Sequence, residues 1–181
     1  AFSGIDTGFK IGIQSLGDLQ FHNDSIEIHL KKVHLSVAND IWRLDSNASA
    51  LVVGENFSLS DFVFRLKKES ISVDGALGPN TPQKLSIAFN EFSLNTVNYF
   101  AKHTDLPQLN GHADGNVFMT VQEGYNAFHS DIDVFDFSIN GDTIGDLSVF
   151  TKNQSNSHLQ HLKVYVDRGL LDSLRIEGEL D

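Results

Sequence analysis

The segment Phe137–Asn153, "FSINGDTIGDLSVFTKN", alternates apolar and polar residues, reaches Asn140-Gly141, and alternates again. Successive strand residues point to opposite faces, so this pattern predicts a strand pair with one apolar and one polar face. Asn-Gly tolerates positive φ and favours a tight hairpin turn between the strands. Related fragments stand elsewhere: "SLGDLQF" at Ser15–Phe21, "ISVDGAL" at Ile71–Leu77 and "LRIEGEL" at Leu174–Leu180. No catalytic motif separates the copies. The chain therefore reads as a repeated building unit.

Outward from this segment, period two dominates. Ile26, Ile28 and Leu30 alternate with Glu27 and His29, and Val33, Leu35 and Val37 with His34 and Ser36. Phe57 and Leu59 are followed by Phe62, Phe64 and Leu66; Leu85, Ile87 and Phe89 alternate with Ser86 and Ala88. Ile132 and Val134 precede Phe135, Phe137 and Ile139, and Leu162, Val164 and Val166 alternate with Lys163 and Tyr165. The apolar parity slips across Lys31-Lys32, Ser60-Asp61 and Asn90-Glu91. Each slip predicts a bulge or a tight turn, and repeated bulges curl a sheet. Asp74-Gly75, Asn110-Gly111, Asp114-Gly115 and Glu177-Gly178 read either as turns or as glycines within strands.

One segment departs from this period. In "SLNTVNYFAKHTDLPQLNG", Leu94, Val97, Phe100 and Ala101 stand near helical spacing, with Ser93 or Asn95 as a cap and Pro107 beyond the end. It predicts one short helix over Asn95–His103.

Composition sets limits. At 181 residues the chain fits one β-rich, repeat-like domain over residues 1–181. It reads as a fragment of a longer protein, since "LRIEGELD" ends on a strand. Net charge is −11 and the 13 Lys and Arg are scattered, which argues against a nucleic-acid partner. No run of 18 apolar residues predicts a spanning helix. With no cysteine there is neither a disulfide framework nor thiolate chemistry. Fourteen Phe against one Trp and three Tyr suit an oily surface better than a polar-ligand site.

The candidate chemical sites read as ordinary surface. His158 and His161 have a chelating spacing on a helix, but the local pattern is a strand, which points them to opposite faces. Asp131, Asp133 and Asp136 lack the central glycine and closing Glu of a calcium loop. "GHADG" lacks phosphate-loop spacing, and no GxSxG elbow exists. The sequence thus predicts no enzyme, no metal and no cofactor.

The order of four strings carries a resemblance. "LVVGENFSLSDFVFRLKKESISVDGALG" (Leu51–Gly78) is similar to a strand–strand–xGxL unit, and "LSIAFNEFSLNTVNYF" (Leu85–Phe100) to a strand followed by an nxxLxxYF segment. "LPQLNGHADGNVFMTV" (Leu106–Val121) resembles an L-x-G-x-x-x-G-x-v step, and "FSINGDTIGDLSVFTKN" an inn-x-x-iGdl-x-v step closed by "LRIEGEL". Together they resemble the TamB and AsmA-like family of bacterial envelope proteins over most of Leu51–Asp181. No anchoring helix and no outer-membrane-contacting region is recognisable, so the chain corresponds to an internal piece.

The resemblance implies an all-β fold: an elongated, curled, taco-like sheet with an apolar inner face and one short helix. It implies the periplasm of a Gram-negative-type bacterium, in a protein anchored in the inner membrane. The implied role is to shield phospholipid acyl chains in a trough, supporting lipid transport and outer-membrane biogenesis. The alternative is to assist outer-membrane protein or autotransporter assembly with a barrel partner. Joined to the alternation, it makes Phe57, Leu59, Phe62, Phe64, Leu85, Ile87, Phe89, Ile132, Val134, Phe135, Phe137 and Ile139 the candidate lipid-groove residues. Two rivals differ in architecture. An extracellular β-sandwich for binding or adhesion would seal the same residues in a core. An outer-membrane barrel would need Tyr and Trp girdles that three Tyr and one Trp do not supply.

Overall fold

The computed structural model describes residues 2–6, 11–37, 40–45, 48–79, 83–101, 106–122, 125–153, 159–169 and 173–180. These form thirteen strands and one helix, so the protein is all-β with a single short helix. The chain packs as two compact units, Ala1–Ile87 and Ala88–Asp181.

The first unit holds β1 (Phe2–Asp6), β2 (Ile11–Phe21), β3 (Ser25–Val37), β4 (Asp40–Leu44), β5 (Ala48–Val53), β6 (Asn56–Leu66) and β7 (Glu69–Leu77). Strand β8 (Gln83–Ser93) carries the division between the units. The second unit holds α1 (Asn95–Ala101), β9 (Leu109–Gln122), β10 (Tyr125–Ile139), β11 (Asp142–Asn153), β12 (Gln160–Asp167) and β13 (Ser173–Leu180).

Every pairing with a known register is antiparallel and joins sequence neighbours, apart from one interruption. The first half of β3 pairs with β5 and its second half with β4, and both β4 and β5 pair with β6. Thus β4 and β5 occupy one position in the sheet, broken after Leu44. With that position counted once, the chain meanders up and down, and each strand lies against the next in sequence.

The predicted parity slips are bulges. Leu16 pairs with Lys32 and Gly17 with Leu30, so Lys31 is the extra residue in β3. Ser60 and Asp61 together oppose Asp74, because Leu59 pairs with Gly75 and Phe62 with Val73. Asp61 adopts φ 61°, and its N–H donates to Asp74 Oδ1 at 2.7 Å. Glu91 in β8 adopts φ 46° and donates its N–H to Asp114 Oδ1 at 2.6 Å. A third copy stands in β10, where Phe135-Asp136 opposes Asp146 between Val134↔Leu147 and Phe137↔Gly145. Asp136 has φ 53° and donates its N–H to Asp146 Oδ1 at 2.9 Å. Each of the three aspartate-capped bulges is followed by a phenylalanine: Phe62, Phe92 or Phe137.

Each capping aspartate adjoins a glycine: Gly75, Gly115 or Gly145. A Cβ at Gly75 would collide with the Lys84 carbonyl, at Gly115 with the Asp131 carbonyl, and at Gly145 with the Asp167 carbonyl. These glycines let the next strand approach closely. Bulged strand, capping aspartate and close-approach glycine recur through β6/β7, β8/β9 and β10/β11. That is the physical content of the repeated sequence fragments.

Of the glycine dipeptides, Asn140-Gly141 is a turn: Ile139 pairs with Asp142, and the two residues have φ 54° and 88°. Asp74-Gly75, Asn110-Gly111, Asp114-Gly115 and Glu177-Gly178 lie inside strands. Two further two-residue turns, Gly54-Glu55 and Lys67-Lys68, connect β5 to β6 and β6 to β7.

Helix α1 matches the predicted segment in place and type; its expected last residues, including His103, lie outside the described residues. Seven residues are too few for a helix to persist alone. Tertiary bonds hold it: Asn98 Nδ2 donates to the Leu109 carbonyl at 2.7 Å, and Leu109 N–H donates to Asn98 Oδ1 at 2.9 Å. Asn140 grips the same segment, donating its N–H to the Gln108 carbonyl and accepting the Gln108 N–H on Oδ1.

In the first unit the sheet curls, and residues at the middle of one face close over one another. Val33, Leu44 and Ala48 are buried together, with Leu30, Phe62 and Phe64 packed against them. Trp42 on the same face is 2 % exposed. Each of the bulges at Lys31 and Ser60-Asp61 adds local twist, which turns a flat sheet into a curled one.

Candidate functional site

Register assigns every paired residue to a face, because directly opposed residues point the same way. In the first unit, Ile26, Ile28 and Leu30 align with Val52, Ala50 and Ala48, and these in turn with Phe57 and Leu59. Phe57, Leu59, Phe62 and Phe64 align with Leu77, Gly75, Val73 and Ile71. On β2, Ile11, Ile13, Leu19 and Phe21 join the same face opposite Val37, Leu35, Ile28 and Ile26. A Cβ at Gly75 would sit 3.3 Å from Leu85 Cδ1, which places Leu85 on this face, and alternation adds Ile87. The face is closed at its centre and open at its margins. Val33 is 3 % exposed, whereas Phe21, Ile26, Phe57 and Leu77 are all exposed.

The opposite face of this unit carries Gln14, Asp18, Glu27, His29, Lys32, His34, Arg43, Ser58 and Arg65. Lys31 bonds Asp18 at 2.6 Å, Arg65 bonds Asp45 at 2.7 Å, and His29 contacts Glu27 at 3.0 Å. All are solvent-accessible pairs, worth at most about 1 kcal/mol each.

The second unit shows the same division in rows across five strands. One row runs Gly115, Ile132, Val149, Val164, Ile176 and the next Ala113, Val134, Leu147, Val166, Leu174. A third, Val117, Ser130, Thr151, Leu162, Gly178, contains two buried hydroxyls that bond each other at 2.9 Å. This bond offsets part of the cost of burying the two hydroxyls. Phe137 lies on this face opposite Gly145, and Ile139 opposite Leu109. In β8 the Phe89 and Phe92 rings meet at 5.5 Å on either side of the Asn90-Glu91 bulge.

One candidate is placed differently. Phe135 is 44 % exposed and opposes His112 on the polar face, away from Val134 and Phe137. The apolar series Ile132, Val134, Phe135, Phe137 and Ile139 placed it with the groove residues. The extra residue is Asp136, so Phe135 keeps its ordinary alternation with Val134 and only Phe137 returns to the apolar side.

That polar face also holds aromatics that alternation alone did not reveal. His129 stacks on Phe118 with centroids 6.2 Å apart and meets Phe150 edge-on at 5.3 Å. In the sequence Phe118 stands within the apolar string Val117-Phe118-Met119, which has no alternation to assign its side. Beyond Phe150, Glu177 accepts bonds from Arg175 at 2.6 Å and Lys163 at 3.3 Å, which hold its carboxyl below the usual glutamate range. Asp131 and Asp133 lie on this face, and Ser148 Oγ donates to Asp133. His161 stands there between Lys152 and Glu179; His158 lies outside the described residues. Among the described residues no three His, Cys, Asp or Glu side chains gather as a metal site, and no helix is long and apolar enough to cross a membrane.

The arrangement offers a largely apolar surface on one side, with the ion pairs on the reverse side. Comparison of the chain with models of known families, with curated proteins and with solved structures returns no match.

Proposed function

We propose that this chain is a segment of a trough that shields lipid acyl chains, in the manner of the TamB and AsmA-like envelope proteins it resembles. In that role it serves phospholipid transport and outer-membrane biogenesis in the periplasm. The observation that supports this reading most is the continuous, largely apolar face within each unit. Apolar side chains stand in register from strand to strand, and many stay accessible at the margins of the face.

An acyl chain suits such a surface. Each CH₂ removed from water contributes roughly 0.8 kcal/mol, and the contact needs no directional bond. An eleven-residue strand such as β6 spans about 36 Å. Ser130 and Thr151 share one hydrogen bond, which lowers the cost of placing these hydroxyls against a hydrocarbon. Nothing in this role calls for a nucleophile, a metal or a cofactor.

The test is photo-crosslinking in membranes of a Gram-negative host, with the chain in its full-length context. Probes at Phe57, Ile87 and Phe137 are expected to capture phospholipid, while probes at Ser86, Phe135 and Lys163 are not. Equal capture from both faces, or none from the apolar one, would refute the reading. Capture of unfolded outer-membrane protein at the apolar positions, without lipid, would favour the assembly role instead.

A further inference from the structure

On the polar face of the second unit, two rows of side chains run across β10 to β13: Asp131, Phe150, Lys163, Glu177 and Asp133, Ser148, Tyr165, Arg175. Ser148 is the smallest side chain among them. Beside it, Val149 and Val164 turn their side chains to the apolar face, so their backbone forms a floor. The result is a hollow of about 280 Å³, bounded by Asp131, Ser148, Phe150, Lys163, Tyr165 and Arg175. Pockets for drug-sized ligands start at roughly 300 Å³, so this one suits a smaller molecule.

The charges around the hollow are sorted by sign. On the β10 side, no ion pair or side-chain hydrogen bond engages the Asp131 carboxylate among the described residues. Two residues along, Asp133 directly opposes Asp114 of β9, a like-charge pair that is destabilising and that a cation relieves. The Ser148 hydroxyl donates to Asp133, so its oxygen retains acceptor capacity only. On the β12 side, Lys163 and Arg175 share the single carboxylate of Glu177, at 3.3 Å and 2.6 Å. Two cations against one carboxylate leave a positive charge in surplus, and Lys163 makes the looser contact. Between the two signs stand the rings of Phe150 and Tyr165, and Tyr165 is 44 % exposed.

We infer that this hollow binds a small zwitterion with an apolar side chain, of the class of an aromatic α-amino acid. Its ammonium meets Asp131. Its carboxylate draws Lys163 from Glu177, which keeps Arg175. Its ring lies over Ser148, between Phe150 and Tyr165. Asp131 and Lys163 stand two strand spacings apart, about 10 Å across the sheet, and the flexible lysine stem closes the gap. Neither charge fits alone: a simple cation would face Lys163 and Arg175, and a simple anion would face Asp131 and Asp133. The two rings add apolar contact for the side chain and a cation–π attraction for the ammonium. Asp131 and Lys163 are exposed, so water screens both ion pairs and the affinity is weak, in the millimolar range. The site is on the face opposite the acyl-chain surface and stands whether or not that surface binds lipid.

The probe is L-phenylalanine, added at low salt to the isotope-labelled whole chain and followed by amide NMR shifts. Saturable shifts are expected across Asp131–Asp133, Ser148–Phe150 and Lys163–Tyr165, with none in β1–β7. Phenethylamine lacks the carboxylate and hydrocinnamate lacks the ammonium, and each should bind at least fivefold more weakly. Asp131→Asn and Lys163→Gln should each weaken L-phenylalanine at least threefold while leaving the melting temperature unchanged. Asp131→Asn should spare hydrocinnamate and Lys163→Gln should spare phenethylamine, a crossed pattern that a general loss of structure does not produce. Absence of saturable shifts would overturn the site. So would an analogue that binds as tightly as L-phenylalanine, since the hollow would then read one charge only, or L-phenylalanine binding that neither substitution weakens.

Discussion

At Glu91 a glutamate holds φ at 46°, a conformation that costs an ordinary L-residue roughly 1–2 kcal/mol. What offsets it is the bond from its N–H to Asp114 Oδ1. A hydrogen bond to a charged acceptor contributes about 1.5–3 kcal/mol, so the cap outweighs the strain. Asp114→Ala should therefore destabilise the protein by about 1–3 kcal/mol, measured by urea unfolding, with Asp114→Asn recovering part of the loss. Glu91→Gly removes the strain while keeping the donor, and should cost little or stabilise slightly. If Asp114→Ala is neutral, the cap carries no energy and the bulge is held by its neighbours alone. The same argument applies to Asp74 with Asp61 and to Asp146 with Asp136.

Among the elements, α1 is the one whose existence depends most on its surroundings. Its sequence spacing is helical, but a helix of seven residues has no independent stability. The two bonds between Asn98 and Leu109 attach it to the start of β9, and the Leu94 N–H adds a bond to the Gly111 carbonyl at 3.0 Å. Asn98→Ala leaves the Leu109 N–H and carbonyl without that partner. Faster amide exchange is expected throughout Asn95–Ala101, with β10–β12 unchanged. Uniformly faster exchange would show that the helix is integral to the unit rather than a docked element. The strands are held instead by the hydrogen-bonded ladders to their neighbours in the sheet.

Within the first unit, position on the apolar face decides how much a charge costs. Val33 is sealed in the central cluster, whereas Phe57 stands near the open margin. A carboxylate at Val33 would be buried without a partner, a cost of several kcal/mol that a marginally stable fold does not survive. At Phe57 the same group keeps part of its hydration. Val33→Asp is expected to unfold the first unit, and Phe57→Asp to leave it folded with a lower melting temperature, followed by circular dichroism. Unfolding by both would mean that the whole face is a sealed core, as in a sandwich.

The sequence by itself determined the class of this protein. Period two predicts strands, Asn140-Gly141 a tight turn, each parity slip a bulge or a turn, and the Leu94–Ala101 spacing a short helix. All of these follow from backbone geometry over a few residues. Tertiary structure alone decided where each bulge falls relative to its partner, because register is a property of two strands and not of one. That is why Phe135 reads as a groove residue in the sequence and stands on the polar face in the molecule. It is also why the role of Asp74, Asp114 and Asp146 does not show in the sequence. Only the neighbouring strand brings each one to a backbone N–H that has turned out of the ladder.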